Sequence, residues 1–228
     1  MRERGIILGI IVAAALAGAS PAMADITTQF PSPNHVWTAR DYTQFYFVHF
    51  DGNQALPHLR TPAAARVFER LVDRRNIRAV IERSGPDDAK VRELWGILAT
   101  LGAIRARYNL SVIIGEPLAE ELTRVQVFML YVLEEAVRLS EEAMRSPSVA
   151  WKTCVLGVVQ SLAEKEKYSS AQRGAMAAAL NGHFHALRLL LTGRDLQGFR
   201  AQVETLAAGE SNAELRQSFR HLLAATRS

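Results

Sequence analysis

The stretch PLAEELTRVQVFMLYVLEEAVRLSEEAMRSP, residues 117–147, decides the fold class of this chain. Its apolar residues recur at helical spacing for about eight turns. A proline stands at its start, and Ser146-Pro147 ends it. On the outer face, Glu134 and Arg138 have the acid-first spacing that favours pairing. The pattern predicts one long amphipathic helix whose apolar face must be covered by other helices.

Segments with the same spacing lie on both sides of this helix, and most begin with a recognisable cap. Thr61-Pro62 opens a helix that runs to about Asn76, and the capping box Ser211-Asn212-Ala213-Glu214 precedes the last one. The apolar run at 110–114 could be a strand, but one strand cannot form a sheet, so we interpret it as a buried connector. The sequence therefore predicts an all-α fold, an irregular bundle of seven to eight helices in a single domain.

The first 24 residues have the pattern of a secretory signal peptide. Arg2 and Arg4 precede an apolar run at 5–18 that is too short to span a bilayer comfortably. Ala22-Met23-Ala24 then offers the small residues that signal peptidase recognises, so a retained anchor is the less favoured alternative. We predict cleavage after Ala24 and a location in the bacterial periplasm, with no membrane span after cleavage. The predicted parts are the signal peptide at 1–24, an extended arm at 25–40 and a helical domain at 41–228, with a possible subdomain seam near 146.

Charge and cysteine content exclude several classes of function. The chain has a formal net charge of +4, and removal of Arg2, Glu3 and Arg4 leaves +3. That excess is too small to indicate a nucleic-acid partner. Cys154 is the single cysteine, so no intrachain disulfide can form, and we expect a buried, unreactive thiol.

Aromatic side chains are concentrated near the expected mature N-terminus. Asp41 and Gln44 form a possible capping pair, and the aromatic residues that follow fall on one helical face before Asp51-Gly52. Such a face can close the core with large rings, or it can bind an apolar ligand or a partner protein. The candidate surface consists of Trp37, Tyr42, Phe45, Tyr46, His49 and Phe50.

Four arginines recur at intervals of four residues in and after the helix that begins at Thr61. Like charges at this spacing repel one another unless they are compensated or used for binding. Glu69 and Asp73 are placed to compensate them, which favours a solvated face. The alternative is a surface for anionic lipid head groups or cell-wall polymers, formed by Arg66, Arg70, Arg74 and Arg78.

His183 and His185 are the one close pair among six histidines. Two residues apart on a helix, they point in nearly opposite directions, so they could share a metal only if Asn181-Gly182 interrupted the helix. We expect His183 to pack inward beside Leu180 and Leu187, and His185 to face outward. The pair is kept as a candidate metal site, but the sequence predicts no bound metal and no cofactor.

The sequence contains no familiar catalytic motif, such as a Gly-x-Ser-x-Gly elbow, His-Glu-x-x-His, a Walker loop or Cys-x-x-Cys. Adjacent glutamates could suggest glycosidase carboxylates, but those must face each other across a cleft, and neighbours on a helix do not. We interpret the pairs as solvated charge. They are Glu120-Glu121, Glu134-Glu135 and Glu141-Glu142.

Export, well-capped helices and the lack of a catalytic motif together predict a binding function. The expected role is that of an accessory or scaffold protein of the cell envelope, with an envelope protein or an apolar small molecule as its partner. One alternative is a periplasmic hydrolase acting on envelope polymers, which would have a deep pocket holding a carboxylate or histidine with a shifted pKa. A carrier of an apolar ligand is the other, and it would have an apolar cavity instead.

Overall fold

All regular structure in the described part of the chain is helical, which confirms the all-α fold class. The computed structural model describes residues 35–51, 55–139 and 149–227. Its helices are α1 (Ala39–Tyr46), α2 (Pro62–Leu71), α3 (Arg74–Glu82), α4 (Asp87–Ile113), α5 (Ala119–Leu139), α6 (Val149–Ala163), α7 (Ser170–Leu187), α8 (Gly193–Ala208) and α9 (Ala213–Ala225). A π-helical turn, Phe47–Asp51, follows α1, and a 3₁₀ turn, Arg188–Leu190, follows α7.

Helix α5 lies at the centre of the bundle, whereas the sequence predicted only that its apolar face would be covered. It packs against α3, α4, α6 and α7. Fourteen of its 21 residues are buried, so nearly its whole circumference is covered rather than one face. Four polar side chains are enclosed with the apolar ones, namely Glu121, Thr123, Gln126 and Glu134. The prediction of solvated charge is therefore wrong at Glu121 and Glu134, because Glu121 binds the Leu59 backbone and Glu134 binds His183 on α7.

The segment at 110–114 is neither a strand nor buried, which corrects the prediction of a connector. It continues α4, and the Ile114 N–H donates to the Leu110 carbonyl oxygen over 3.1 Å. Gly115 ends the helix with a φ of 95°, a conformation that favours glycine. Ile113 and Ile114 are 65% and 69% exposed. Local backbone hydrogen bonds thus outweigh the strand preference of the β-branched residues here.

The helix predicted from Thr61 to about Asn76 is two helices. Helix α2 ends at Leu71, and α3 begins at Arg74 with Asp73 as its N-cap. The Asp73 carboxylate accepts a 2.9 Å hydrogen bond from the Arg75 N–H. An N-cap residue has extended backbone angles, so the chain changes direction at this point.

The N-cap of helix α1 lies three residues earlier than predicted. Its capping box joins Thr38 and Asp41, whereas the sequence suggested Asp41 and Gln44. The extended arm therefore ends at Thr38 in the structure. The signal peptide at 1–24, the arm at 25–34 and the seam near 146 lie outside the described residues. None of the helices in the described ranges combines the length and the apolar character needed to cross a membrane.

Candidate functional site

Most of the aromatic residues predicted to form a binding surface belong to the core. Trp37, Tyr42 and Phe45 are fully buried, and the Trp37 ring lies 5.2 Å from Tyr42 and 5.1 Å from Phe45 between ring centres. His49 is also buried. Burial lowers the pKa of His49 to about 4, against the effect of a hydrogen bond with the backbone of Ala55. This cluster joins α1 to the bundle instead of presenting a ligand surface.

Only Tyr46 of the remaining aromatic candidates can be placed, and it is half-buried. The side chain of Phe50 lies outside the described residues. An envelope protein partner, which was predicted partly from this surface, therefore stays a prediction from the sequence.

The arginine row does not form one continuous face, because the chain turns between α2 and α3. Arg66 and Arg70 lie on α2, and Arg74 and Arg78 lie on α3. Arg70 is bound by Asp73 at 3.2 Å and by the backbone of His35. The Arg74 guanidinium lies 4.6 Å from the centre of the Tyr131 ring on α5. Asp73 compensates the charge of Arg70, as predicted. The arginine row that was predicted to bind anionic surfaces is divided between two helices.

The two histidines face opposite ways, as the sequence predicts. His185 is exposed, whereas His183 is half-buried and its Nδ1 atom is hydrogen-bonded to the Glu134 carboxylate on α5. The other oxygen of Glu134 is 2.8 Å from the Arg138 guanidinium. No group of three or more potential metal ligands occurs in the described ranges. The His183–Glu134 contact joins α5 and α7.

Glu135, the next residue, has fewer and longer contacts than Glu134. Burial raises the pKa of Glu135, and the charge of Glu134 acts in the same direction, while Arg138 opposes both. The nearest ion-pair contact of Glu135 is the Arg138 guanidinium at 3.5 Å. The interpretation of Glu134 and Glu121 as solvated charge is wrong, since the Glu121 carboxylate accepts a 2.7 Å hydrogen bond from the Leu59 N–H. Glu141-Glu142 lies outside the described residues.

The two histidines are expected to respond differently to substitution. His183→Ala removes the contact with buried Glu134 and should lower the free energy of unfolding by about 1 to 3 kcal/mol. His185→Ala should change it by less than about 0.5 kcal/mol, because the side chain is exposed. Thermal unfolding with and without zinc measures both effects. A rise in Tm on adding zinc that disappears in either variant would establish the metal site instead.

Two cavities are lined entirely by residues that the structure describes. One, of about 330 Å³, lies between α6 and α8 and is lined by Val159, Ala163, Leu206 and neutral polar side chains. The other, of about 210 Å³, lies between α4 and α6, with α5 beneath it. Neither is lined by a carboxylate or a histidine. Both therefore have the character expected for an apolar ligand and lack the groups expected of a hydrolase.

The second cavity, the α4–α6 groove, has an apolar wall and a single cation. Trp151 stacks on Trp95, with 3.7 Å between ring centres, and this contact links α6 to α4. Gly102 leaves one side open, because a Cβ atom there would meet nothing within 4 Å. The lining includes Leu98, Gly102 and Arg105 from α4, Met129 from α5, and Trp151 and Cys154 from α6.

Arg105 extends across this groove from α4 towards α6. A Cβ atom at Gly157 would lie 3.2 Å from an Arg105 guanidinium nitrogen, so the absence of a side chain at Gly157 leaves room for the cation. Burial raises the pKa of Cys154 to about 11, although the Arg105 charge acts to lower it. The thiol is therefore protonated near neutral pH, and Arg105 provides the only charge in the groove lining.

The sequence contains one signal of this groove. Arg105 follows Leu98 by seven residues and Leu101 by four, so it continues the apolar stripe of α4. An arginine on an apolar stripe, three residues after Gly102, indicates a position that does not simply pack into the core. The tryptophan pair could not have been predicted, because Trp95 and Trp151 are 56 positions apart in the chain.

Comparison with models of known protein families, with curated proteins and with solved structures finds no significant match.

Proposed function

We propose that this chain is an exported helical binding protein of the bacterial cell envelope that holds a small apolar molecule in the α4–α6 groove. The observation that carries the proposal is the groove itself, an apolar cavity of about 210 Å³ formed by α4, α5 and α6. An apolar cavity of about 150 Å³ is already large enough to bind benzene. The expected ligand is therefore a compact molecule rather than a polymer chain.

The hydrolase alternative is supported less well. The residues best suited to act as its acid or base are Glu134, Glu135 and His183, which lie together where α5 meets α7. Glu134 is already hydrogen-bonded to His183, which joins α5 to α7, and ion-paired with Arg138. A catalytic acid or base must reach a substrate proton. Neither described cavity is lined by any of these three residues, which favours ligand binding over hydrolysis.

Binding in the groove can be measured with a neutral apolar probe, 1-hexanol, by methyl NMR of the methionines. Met129 lines the groove and its methyl resonance should shift, whereas Met176 lies in the core and should not respond.

The protein is expressed with its own N-terminus and purified from the periplasmic fraction. There its mass should correspond to a chain that begins at Asp25.

A matched pair of glycine variants identifies the binding position. Gly102→Leu should fill the groove and abolish the Met129 shift, while Gly198→Leu on exposed α8 should leave the shift unchanged. A Cβ atom at either position meets nothing within 4 Å, and leucine favours a helix over glycine by about 0.5 to 1 kcal/mol, so both variants should fold. If Met129 does not respond, or if Gly102→Leu responds like the unmodified protein, the proposal is wrong.

A further inference from the structure

Arg105 is a half-buried cation without an anionic partner in the described ranges. None of the ion pairs formed between described residues includes it. By contrast, the buried cation Arg173 has Glu210 at 2.6 Å. Removing a charge from water without a counter-ion is unfavourable. Arg105 would therefore gain from an anion that enters the groove.

We infer that the ligand of the α4–α6 groove is a small amphipathic anion, a carboxylate with a short apolar body, and that Arg105 binds the carboxylate. This inference rests on the proposed function and adds the chemical class of the ligand. A guanidinium presents parallel N–H groups that match the two oxygens of a carboxylate. Leu98, Met129 and Trp151 provide the apolar surface for the rest of the molecule.

Two features of the groove fit this ligand class. Gly157 lets the guanidinium lie against α6, so the cation is held at one wall instead of extending freely into solvent. The groove lining contains no carboxylate that would repel an anion. Cys154 also contributes no negative charge, because burial raises its pKa to about 11. Arg105 is thus the residue that would distinguish an anionic ligand from a neutral one of the same shape.

Hexanoate and 1-hexanol form a suitable probe pair, because they share an apolar chain and differ in the head group. Titration of the full chain, followed through the Met129 methyl resonance, should give at least about tenfold tighter binding of hexanoate, the value expected for a charge-assisted hydrogen bond. Arg105→Gln should remove this preference and leave 1-hexanol binding unchanged. Arg105→Lys keeps the charge without the paired N–H groups and should retain part of the preference.

Arg107→Gln is the matched control, since Arg107 is exposed on the same helix and the variant loses the same charge. It should bind hexanoate like the unmodified protein, and a similar loss in both glutamine variants would mean that overall charge attracts the anion. Equal binding of the two probes, unaffected by Arg105→Gln, would refute the anionic ligand while leaving groove binding intact. If neither probe shifts Met129, both the inference and the proposed function fail.

Discussion

Replacing Glu210 with alanine is expected to lower the free energy of unfolding by about 3 to 5 kcal/mol, the cost of leaving one partner of a buried ion pair uncompensated. Glu210 lies between α8 and α9, and its carboxylate is 2.6 Å from the Arg173 guanidinium on α7. The two side chains are only 2% and 4% exposed. The second carboxylate oxygen accepts a 3.0 Å hydrogen bond from the Asn212 N–H, next to the start of α9. Urea denaturation of the variant measures the loss.

The same pair gives the protein a defined dependence on acid. Burial acts to raise the pKa of Glu210, but hydrogen bonds from Arg173 and from the Asn212 backbone more than offset it, so the pKa lies below its ordinary value of 4.5. A carboxyl group with a lowered pKa stabilises the fold fully above the pKa of the unfolded chain. That stabilisation is lost as the pH falls through the folded-state pKa. The difference between the unmodified protein and Glu210→Ala should therefore be constant near neutral pH and shrink below about pH 4.5.

Glu204→Ala provides the control for this prediction. Glu204 pairs with Arg200 at 3.0 Å on the exposed side of α8, and exposed pairs of this kind contribute less than about 1 kcal/mol. If Glu210→Ala were as mild as Glu204→Ala, the buried pair would not hold α7 to α9. The double variant Arg173→Met, Glu210→Leu should recover much of the stability, because it removes both charges together.

Asn76→Ala is expected to destabilise the fold by about 3 to 4 kcal/mol, because it breaks three hydrogen bonds in a fully buried position. The side-chain amide oxygen of Asn76 accepts a 3.0 Å hydrogen bond from the backbone N–H of Trp37. Its amide nitrogen donates to the Tyr42 hydroxyl at 3.1 Å and to the Arg70 carbonyl at 2.9 Å. Asn76 thus joins the N-terminal aromatic cluster to the junction of α2 and α3. The change is measured by thermal or urea unfolding.

Asn181→Ala is the comparison, since its partly buried amide makes one hydrogen bond, to the Ser218 carbonyl oxygen at 3.0 Å. Its loss should cost only about 1 kcal/mol. Near-equal effects of the two variants would indicate that the α1 region is not anchored through Asn76. Near-UV circular dichroism adds an independent readout, because Asn76→Ala should alter the signal from the buried Trp37 and Tyr42 rings, and Asn181→Ala should not.

Local patterns in the sequence were sufficient to predict the helices. Periodic apolar residues identified α5, and the cap predicted at Ser211 lies one residue before the observed N-cap of α9, Asn212. The break between α2 and α3 was not predicted, because the local pattern leaves it undecided. Asp73 can serve as an N-cap or as an interior residue, and only the packing of α3 against α4 and α5 selects the break after Leu71.

The contacts and burial of the candidate site residues were harder to predict, because both depend on residues that are distant in the chain. Glu134 and Glu135 look equivalent in the sequence, yet Glu134 meets a histidine 49 residues away, whereas Glu135 makes only a long contact with Arg138. Arg105 continues the apolar stripe of α4 in the sequence, but it lines a groove only because α6 packs beside it. Sequence spacing gives the direction of a side chain on its own helix, but it does not say which helix lies opposite.

The sequence by itself determined the all-α class, the existence of helix α5 and the opposite orientations of His183 and His185, since these depend on hydrogen bonds and periodicity within a few residues. Tertiary structure alone decided that Trp37 and Tyr42 belong to the core. It also decided that Glu210 is enclosed with Arg173, and that an apolar groove remains beside Arg105. The physical reason is that burial is a property of packed helices, so a side chain acquires its environment only when distant segments meet.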